Sequence, residues 1–421
     1  MALQDYRKDM LRCSRCSLCK WPPLAQIKSW RFSNVCPSMA WGNFHSYSAG
    51  GKLITALALL EDRIDYSDKV LEVIYQCQMD GACDVSCKVN RELEPLEAML
   101  ELRARCVSDG QLLPAHMAII ESLKSDDNSL GEAKEERGNW AEGLDVAAEA
   151  EVLYFAGCRY SFDSELREAA RGAVTLLRTA GVDARIAGRE EACCGGRAYE
   201  MGYQGELTKY AEHNVESWNS AGVRTVVTSC SDCFGTFKYL YPKIGKSLGF
   251  EVLHITEYLD RLIKEGKLRP AKEVPLRVTY QDPCHLGRLS EPFEPWEGEE
   301  KKILGQVVTT DPPKTYRRGT NGVYEPPRNV LESIPGIELV EMERIKEYAW
   351  CCGAGGGVKE AYPDFALWTA QERIEEAAAT GAEALVTACP WCERNFGDAV
   401  EQSREKMKIL DVSTLLLESL S

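Results

Sequence analysis

Val223-Arg224-Thr225-Val226-Val227-Thr228, followed two residues on by Cys230-Ser231-Asp232-Cys233, returns late in the chain as Ala384-Leu385-Val386-Thr387 followed by Cys389-Pro390-Trp391-Cys392. Each is a short apolar run rich in β-branched residues that ends on a Cys-x-x-Cys loop. The same arrangement appears where Val152-Leu153-Tyr154-Phe155-Ala156 leads into Cys158 and Val278-Thr279-Tyr280 leads towards Cys284. Between these runs lie amphipathic stretches at helical spacing, among them Glu165 to Thr179 and Phe365 to Thr380, the latter closed by Gly381. Short strands that deliver cysteines at their C-terminal ends and alternate with helices predict an α/β domain.

Working outward, each half also holds a Cys-Cys-Gly upstream of its Cys-x-x-Cys. Ten of the eighteen cysteines thereby form one five-cysteine pattern written twice: Cys158, Cys193, Cys194, Cys230 and Cys233, then Cys284, Cys351, Cys352, Cys389 and Cys392. An internal duplication of a βα unit follows, over residues 151–270 and 271–421, whose cysteine loops are expected to face one cleft. Residues 289–320 interrupt the second copy and carry Phe293, Trp296, Tyr316, Arg317 and Arg318. They read as a surface loop, with a docking surface or a cover for the cleft as the functional alternatives.

A tetrahedral structural zinc takes four ligands, so five recurring thiols suit an iron–sulfur assembly better. Adjacent cysteines serve one iron only with strain but can serve neighbouring irons of an extended cluster. The glycines after Cys194 and Cys352 let backbone N–H groups approach the sulfurs. Buried thiols or vicinal disulfides are the plain alternative.

The N-terminal residues 1–120 hold a second kind of set. Cys13-Ser14-Arg15-Cys16-Ser17-Leu18-Cys19 is followed by Cys36-Pro37, and Cys77, Cys83 and Cys87 come later with Asp80 where steps of three would place a cysteine. Exchange of fourth ligands predicts one cubane on Cys13, Cys16, Cys19 and Cys87, and a second on Cys77, Asp80, Cys83 and Cys36. A carboxylate holds iron less firmly than a thiolate, so the second site is expected to be an Asp-ligated [4Fe-4S] or a [3Fe-4S] cluster; Asp80 as a solvated loop residue is the alternative. Helices are expected at 51–60 and 92–103, and the polar run within 121–150 reads as a linker with little structure of its own. Cys106 lies outside every motif and reads as a small core hydrophobe.

With 421 residues, a net charge of −15 and no run approaching a membrane span, the chain is not expected to bind nucleic acid or cross a bilayer. The polar N-terminus shows no secretory h-region, and thiols given over to metal fit a reducing cytoplasm, in an anaerobic setting.

Asp282-Pro283-Cys284-His285-Leu286-Gly287-Arg288, Val323-Tyr324-Glu325-Pro326-Pro327-Arg328, Trp350-Cys351-Cys352-Gly353-Ala354-Gly355-Gly356-Gly357 and Cys389-Pro390-Trp391-Cys392 resemble the Cys-Cys-Gly domain of the catalytic subunit of heterodisulfide reductase. The N-terminal cysteines are similar to the helical-ferredoxin module of fused versions of that subunit. The resemblance implies an α-helical ferredoxin-like domain ahead of two duplicated Cys-Cys-Gly repeats, and a noncubane [4Fe-4S] cluster on each five-cysteine set. Three positions depart from it: Asp80, Lys88 where proline is common, and the 289–320 insertion.

Two functions follow. In the first, an oxidoreductase subunit passes electrons from the N-terminal clusters to the noncubane pair, which reduces a disulfide or oxidises thiols; His285 is then a proton donor or, more commonly for such a neighbour, a hydrogen-bonding support. The second is an electron-transfer subunit without a substrate of its own, in a hetero-oligomeric complex with a flavoprotein, a ferredoxin or an acyl-CoA or benzoyl-CoA reductase. A zinc-binding scaffold is the third class. No flavin or nicotinamide fingerprint is present, so a partner must exchange the electrons.

Overall fold

The computed structural model describes residues 2–305, 307–403 and 406–420. Among the described residues ten strands carry the C-terminal two-thirds: β1 (Val152–Phe155), β2 (Ala184–Arg185), β3 (Thr225–Thr228), β4 (Glu251–His254), β5 (Leu276–Tyr280), β6 (Glu299–Ile303), β7 (Val307–Asp311), β8 (Ile337–Leu339), β9 (Ala384–Thr387) and β10 (Lys408–Asp411). Two four-stranded parallel sheets result, in the orders β2-β1-β3-β4 and β8-β5-β9-β10. The duplication seen in the cysteines is thus a duplication of topology. Parallel strands with helical crossovers are covered on both faces, which is why β1, β3 and β9 are almost continuously apolar rather than alternating.

In both sheets the chain reverses direction of winding between the first and third strands. Loops at the carboxyl ends of strands flanking such a point splay apart and leave a crevice. Cys158 and Cys230 follow β1 and β3, while Cys284 and Cys389 follow β5 and β9. The fold therefore brings each set's outlying cysteines to one crevice.

The expected helices at 165–179 and 365–380 are present as Arg167–Thr179 and Pro363–Ala379. In the N-terminal region, helices Ala49–Leu60, Ala82–Arg91, Pro95–Ser108 and Pro114–Asp126 pack around the cysteine loops. The helix expected at 92–103 begins instead at Pro95, because Glu92 takes a left-handed conformation (φ 55°) and ends the preceding helix. Among the described residues no helix is long and apolar enough to cross a membrane.

The linker expectation for 121–150 does not hold as stated. Pro114–Asp126 is helical into this stretch, Lys134–Ala141 forms successive 3-10 turns, and Arg137 and Trp140 are buried. Trp140 packs on Tyr154 with ring centroids 5.7 Å apart. The buried charge of this run, Arg137, has its carboxylate partner far away in sequence, at Glu191. The insertion is likewise structured: β6 and β7 form an antiparallel hairpin, and β6 is exposed throughout.

His116, on helix Pro114–Asp126, ties that segment to the second repeat: its Nε2 lies 3.1 Å from Gly357 O. Burial, reinforced by nearby Arg103, pulls its pKa down to about 4. An unfolded histidine titrates near 6.5, so between about pH 6.5 and 4 the unfolded chain takes up a proton that the folded one refuses, and stability falls as pH falls. Between pH 7 and 5 the wild-type protein is expected to lose about 2 kcal/mol more unfolding free energy than His116→Gln does, read from urea midpoints. Equal losses in the two proteins would remove His116 as the cause.

Candidate iron–sulfur centres

Within each repeat the adjacent cysteines touch each other, and each also reaches a different outlying thiol. Cys193 contacts Cys158 and Cys194 contacts Cys233; Cys351 contacts Cys284 and Cys352 contacts Cys392. This divergence suits ligands to different irons. All ten thiols are buried, and none of the eighteen cysteines is in a disulfide. Contacts continue across the repeats, from Cys230 to Cys389, so that the thiols run unbroken from Cys158 at one end to Cys284 at the other. Ser231 Oγ, donating to Ala388 O at 2.7 Å, locks the junction.

Backbone and side chains around the sulfurs supply donors. Gly195 N–H reaches Cys193 Sγ at 3.4 Å, and Gly353 N–H reaches Cys351 Sγ at 3.3 Å. Gly353 has φ 98°, and a Cβ there would sit 2.3 Å from Ala366 O, so only glycine fits. Asn214 donates to the carbonyl of Cys193, and Asn395, on the helix that carries Cys392, donates to that of Cys352. Neighbouring thiols that donate to Cys352, first Cys351 and then Cys392, pull it down to about 6. Thiolate is the form iron takes.

Two groups break the symmetry. Arg137 Nη2 donates to Cys158 Sγ at 3.4 Å. At the matching place in the second repeat stands His285, whose Nδ1 is 3.3 Å from Cys284 Sγ and 3.2 Å from Asp232 Oδ1, while Nε2 donates to Glu200 Oε1 at 2.5 Å. Burial opposes its charge, but Glu200, Cys284 and Asp232 together hold His285 well above the ordinary imidazole value. With both nitrogens engaged, His285 clamps the Cys284 loop to the first repeat, the supporting role expected of it.

In the N-terminal region one pocket is lined by Cys13, Cys16, Cys19 and Cys87, and another by Cys36, Cys77, Asp80 and Cys83. These are the two groupings that ligand exchange predicts. Among the described residues no three His, Cys, Asp or Glu side chains converge as on a single metal ion. Cluster ligands bind separate corners and need not converge on a point, so the sets fit iron–sulfur clusters. Asp80 lines its pocket while its Oδ1 accepts from Ala82 N–H at 2.8 Å and pairs with Arg288 at 3.3 Å. Lys88 is buried against Asp84 at 2.7 Å, and Cys106 is fully buried in an apolar cluster.

Between the N-terminal region and the two repeats lies a cavity of ≈ 30 Å³, lined by Glu97, Tyr199, Tyr239, His285, Leu289 and Arg317 among others. Both ends of the insertion roof it. Arg317 stacks 3.3 Å from the centre of the Tyr239 ring and donates to Leu289 O, and Glu97, paired with Lys243, lies 3.8 Å from it.

The arrangement defines an iron–sulfur redox subunit with a duplicated cysteine-rich domain. Residues 9–91 match the 4Fe-4S dicluster domain family, and residues 152–238 and 314–397 each match the Cysteine-rich domain family. The chain belongs to a family of heterodisulfide reductase subunits. It is 30% identical over 420 residues to a subunit of the dihydromethanophenazine:CoB–CoM heterodisulfide reductase of Methanosarcina acetivorans, and 31% identical over 420 residues to the corresponding subunit of Methanosarcina mazei. Each alignment covers 97% of this chain and 93% of the relative. EtfAB:quinone oxidoreductase of Syntrophomonas wolfei is 28% identical over 389 residues, covering 86% of this chain and 48% of that protein.

Proposed function

We propose that this oxidoreductase subunit reduces a disulfide, or oxidises a thiol pair in reverse. The unbroken run of ten buried thiols beside the roofed cavity carries the reading. Residues 1–120 form a helical ferredoxin-like domain, in which Cys13, Cys16, Cys19 and Cys87 hold one cubane and Cys36, Cys77, Cys83 and Asp80 an Asp-ligated [4Fe-4S] or a [3Fe-4S] cluster. Cys158, Cys193, Cys194, Cys230 and Cys233 in repeat 151–270, and Cys284, Cys351, Cys352, Cys389 and Cys392 in repeat 271–421, hold noncubane [4Fe-4S] clusters. When bound, these groups supply the one-electron chemistry and the iron sites at which sulfur is exchanged. The chain's own residues orient and shield: Arg137 and His285 place positive charge against the outermost thiols, and Leu289 and Arg317 keep water from the cavity. The two Methanosarcina relatives are named for a heterodisulfide, which supports this class of substrate.

The roof favours a second reading. A cavity of ≈ 30 Å³ has room for about two waters at most, so a disulfide requires the insertion to move. A relay without its own substrate, exchanging electrons with a flavoprotein or a larger reductase complex, needs no such movement. The relative named for EtfAB and quinone supports it. Purified anaerobically, the protein is assayed with reduced viologen against small disulfides. Turnover that is lost in Cys193→Ala or Cys351→Ala supports the reductase; no turnover in wild type or in roof-opened Arg317→Ala leaves the relay.

Asp80→Cys tests the second N-terminal site. It is expected to raise the content of that site from about three to four irons or to change its EPR signal, because a fourth thiolate holds the corner iron more firmly than the carboxylate does. Identical iron content and spectra in the two proteins would take Asp80 out of the ligand set and leave it as the partner of Arg288.

A further inference from the structure

We infer that the face around Cys16 is where the chain meets its redox partner, and that this partner is a small acidic electron-carrier protein. The inference rests on the reading that Cys13, Cys16, Cys19 and Cys87 hold a cluster, and adds to it which surface is used and by what. Cys16 is the one exposed cysteine among the eighteen, whereas the thiols of both repeats are buried. Electron transfer between proteins needs the centres close together, so the site with an exposed ligand is the entry or exit point.

Charge then selects the partner. The chain carries −15 overall, yet its first sixty residues hold eight lysines and arginines against two aspartates, a net +6. Exposed Arg12 and Arg15 flank the Cys13–Cys16 loop, Arg91 hydrogen-bonds to Cys16, and Arg15 and Lys20 both lie within electrostatic reach of His45. His45 in turn adjoins Cys13, since both lie within 3.6 Å of where a Cβ on Gly50 would stand. Among the described residues no ion pair is formed by Arg12, Arg15, Lys20 or Arg91, although most exposed arginines elsewhere are neutralised by carboxylates, as Arg178 and Arg261 are. The neighbouring acids are Asp9, Glu92, Glu94 and Glu300, of which Glu300 is paired with Lys8 and Glu94 lies against Lys88 and Lys314, so the four cations stay in excess.

Apolar side chains interrupt the basic rim: Leu11 is 55% exposed, Phe44 68% and Val89 45%. Each is next in sequence, or next but one, to a residue already placed at the loop. Cations around an apolar centre that excludes water are the surface chemistry by which an acidic partner is steered and then held. A cationic carrier would be repelled here.

The double variant Arg12→Glu/Arg15→Glu of the full chain tests this, with an acidic 2[4Fe-4S] ferredoxin as probe and reduced methyl viologen, a small cation, as control. At low ionic strength the second-order rate of reduction by ferredoxin is expected to fall at least about tenfold in the variant, and the wild-type rate alone to fall steeply as salt is added. Iron content and the viologen rate should not fall. Unchanged ferredoxin kinetics at full iron content would overturn the docking face. Charge-dependent binding to vesicles containing phosphatidylglycerol, with ferredoxin kinetics unaffected, would overturn it in favour of a membrane surface. Wild-type protein lacking iron at Cys13, Cys16, Cys19 and Cys87 would instead sink the cluster reading beneath it. The milder Arg12→Gln/Arg15→Gln pair, expected to give an intermediate loss, decides the matter should charge reversal impair folding.

Discussion

Cys389→Ala is expected to cost the protein about four irons per chain and all disulfide turnover, a full loss from the removal of one thiol. Cys389 stands at the junction of the two repeats, in contact with Cys230 of the first set and Cys392 of its own, with Asp232 Oδ1 4.0 Å away. Alanine leaves a small buried gap whose cost, about 1 kcal/mol, the fold tolerates, so a loss of iron reports ligation rather than unfolding. Cys106→Ala is the control: equally buried but a member of no cysteine set, it should leave iron and activity unchanged. Iron analysis, acid-labile sulfide and the viologen assay read all three proteins. Full iron content in Cys389→Ala would show that the second repeat holds its cluster without this residue, and the five-cysteine assignment would fail for both copies.

The cysteine groupings were legible because the loops that carry them are written in local spacing. A Cys-x-x-Cys after a strand must sit on the loop at that strand's carboxyl end, and two such loops must flank the crevice of a parallel sheet. The gathering of the N-terminal cysteines about two pockets was legible for the same reason, since steps of three leave each short loop one thiol short. What escaped were groups whose partners are remote in sequence. Arg137 sits in a run so polar that it reads as solvated, yet its guanidinium is buried against Cys158, Glu191 and Asp127 O. The roof was half visible: the insertion's position marked the cleft, but spacing could not show that Arg317, rather than an aromatic, would reach in and stack on Tyr239. Nor could it show that the hairpin's open end would meet the N-terminal helix through the Lys8–Glu300 pair. Contact between Cys230 and Cys389 depends on how two repeats dock, which no repeat encodes by itself.

Arg103 is the clearest of these hidden residues, and its loss is expected to be the most damaging change outside the cysteine sets. It lies on the helix Pro95–Ser108, where helical spacing says nothing of its partners, and is completely buried. Its Nη1 donates to Glu200 O at 2.9 Å and to Gly356 O at 2.8 Å; its Nη2 donates to Ile74 O, Tyr75 O and, at 2.7 Å, Cys77 O. One guanidinium thus satisfies carbonyls from the N-terminal region, the first repeat and the second repeat, beside Cys77 and the glycine loop that follows Cys352. Arg103→Ala would take this donor from five carbonyls, of which, among the described residues, Tyr75 O alone keeps a short bond, from Cys77 N–H at 2.7 Å. Each buried carbonyl left unpartnered costs about 1–3 kcal/mol, and entering water recovers part of that, so a net loss of about 4 kcal/mol is expected. Arg103→Lys should recover less than half, because an ammonium has three donors and no planar fork with which to reach both sides. Urea unfolding of the anaerobic protein measures the loss, and the iron content of the Cys77 site should fall with it. A change below about 1 kcal/mol would mean that water alone can join the three parts, and that the arginine is not what holds the cluster path in line.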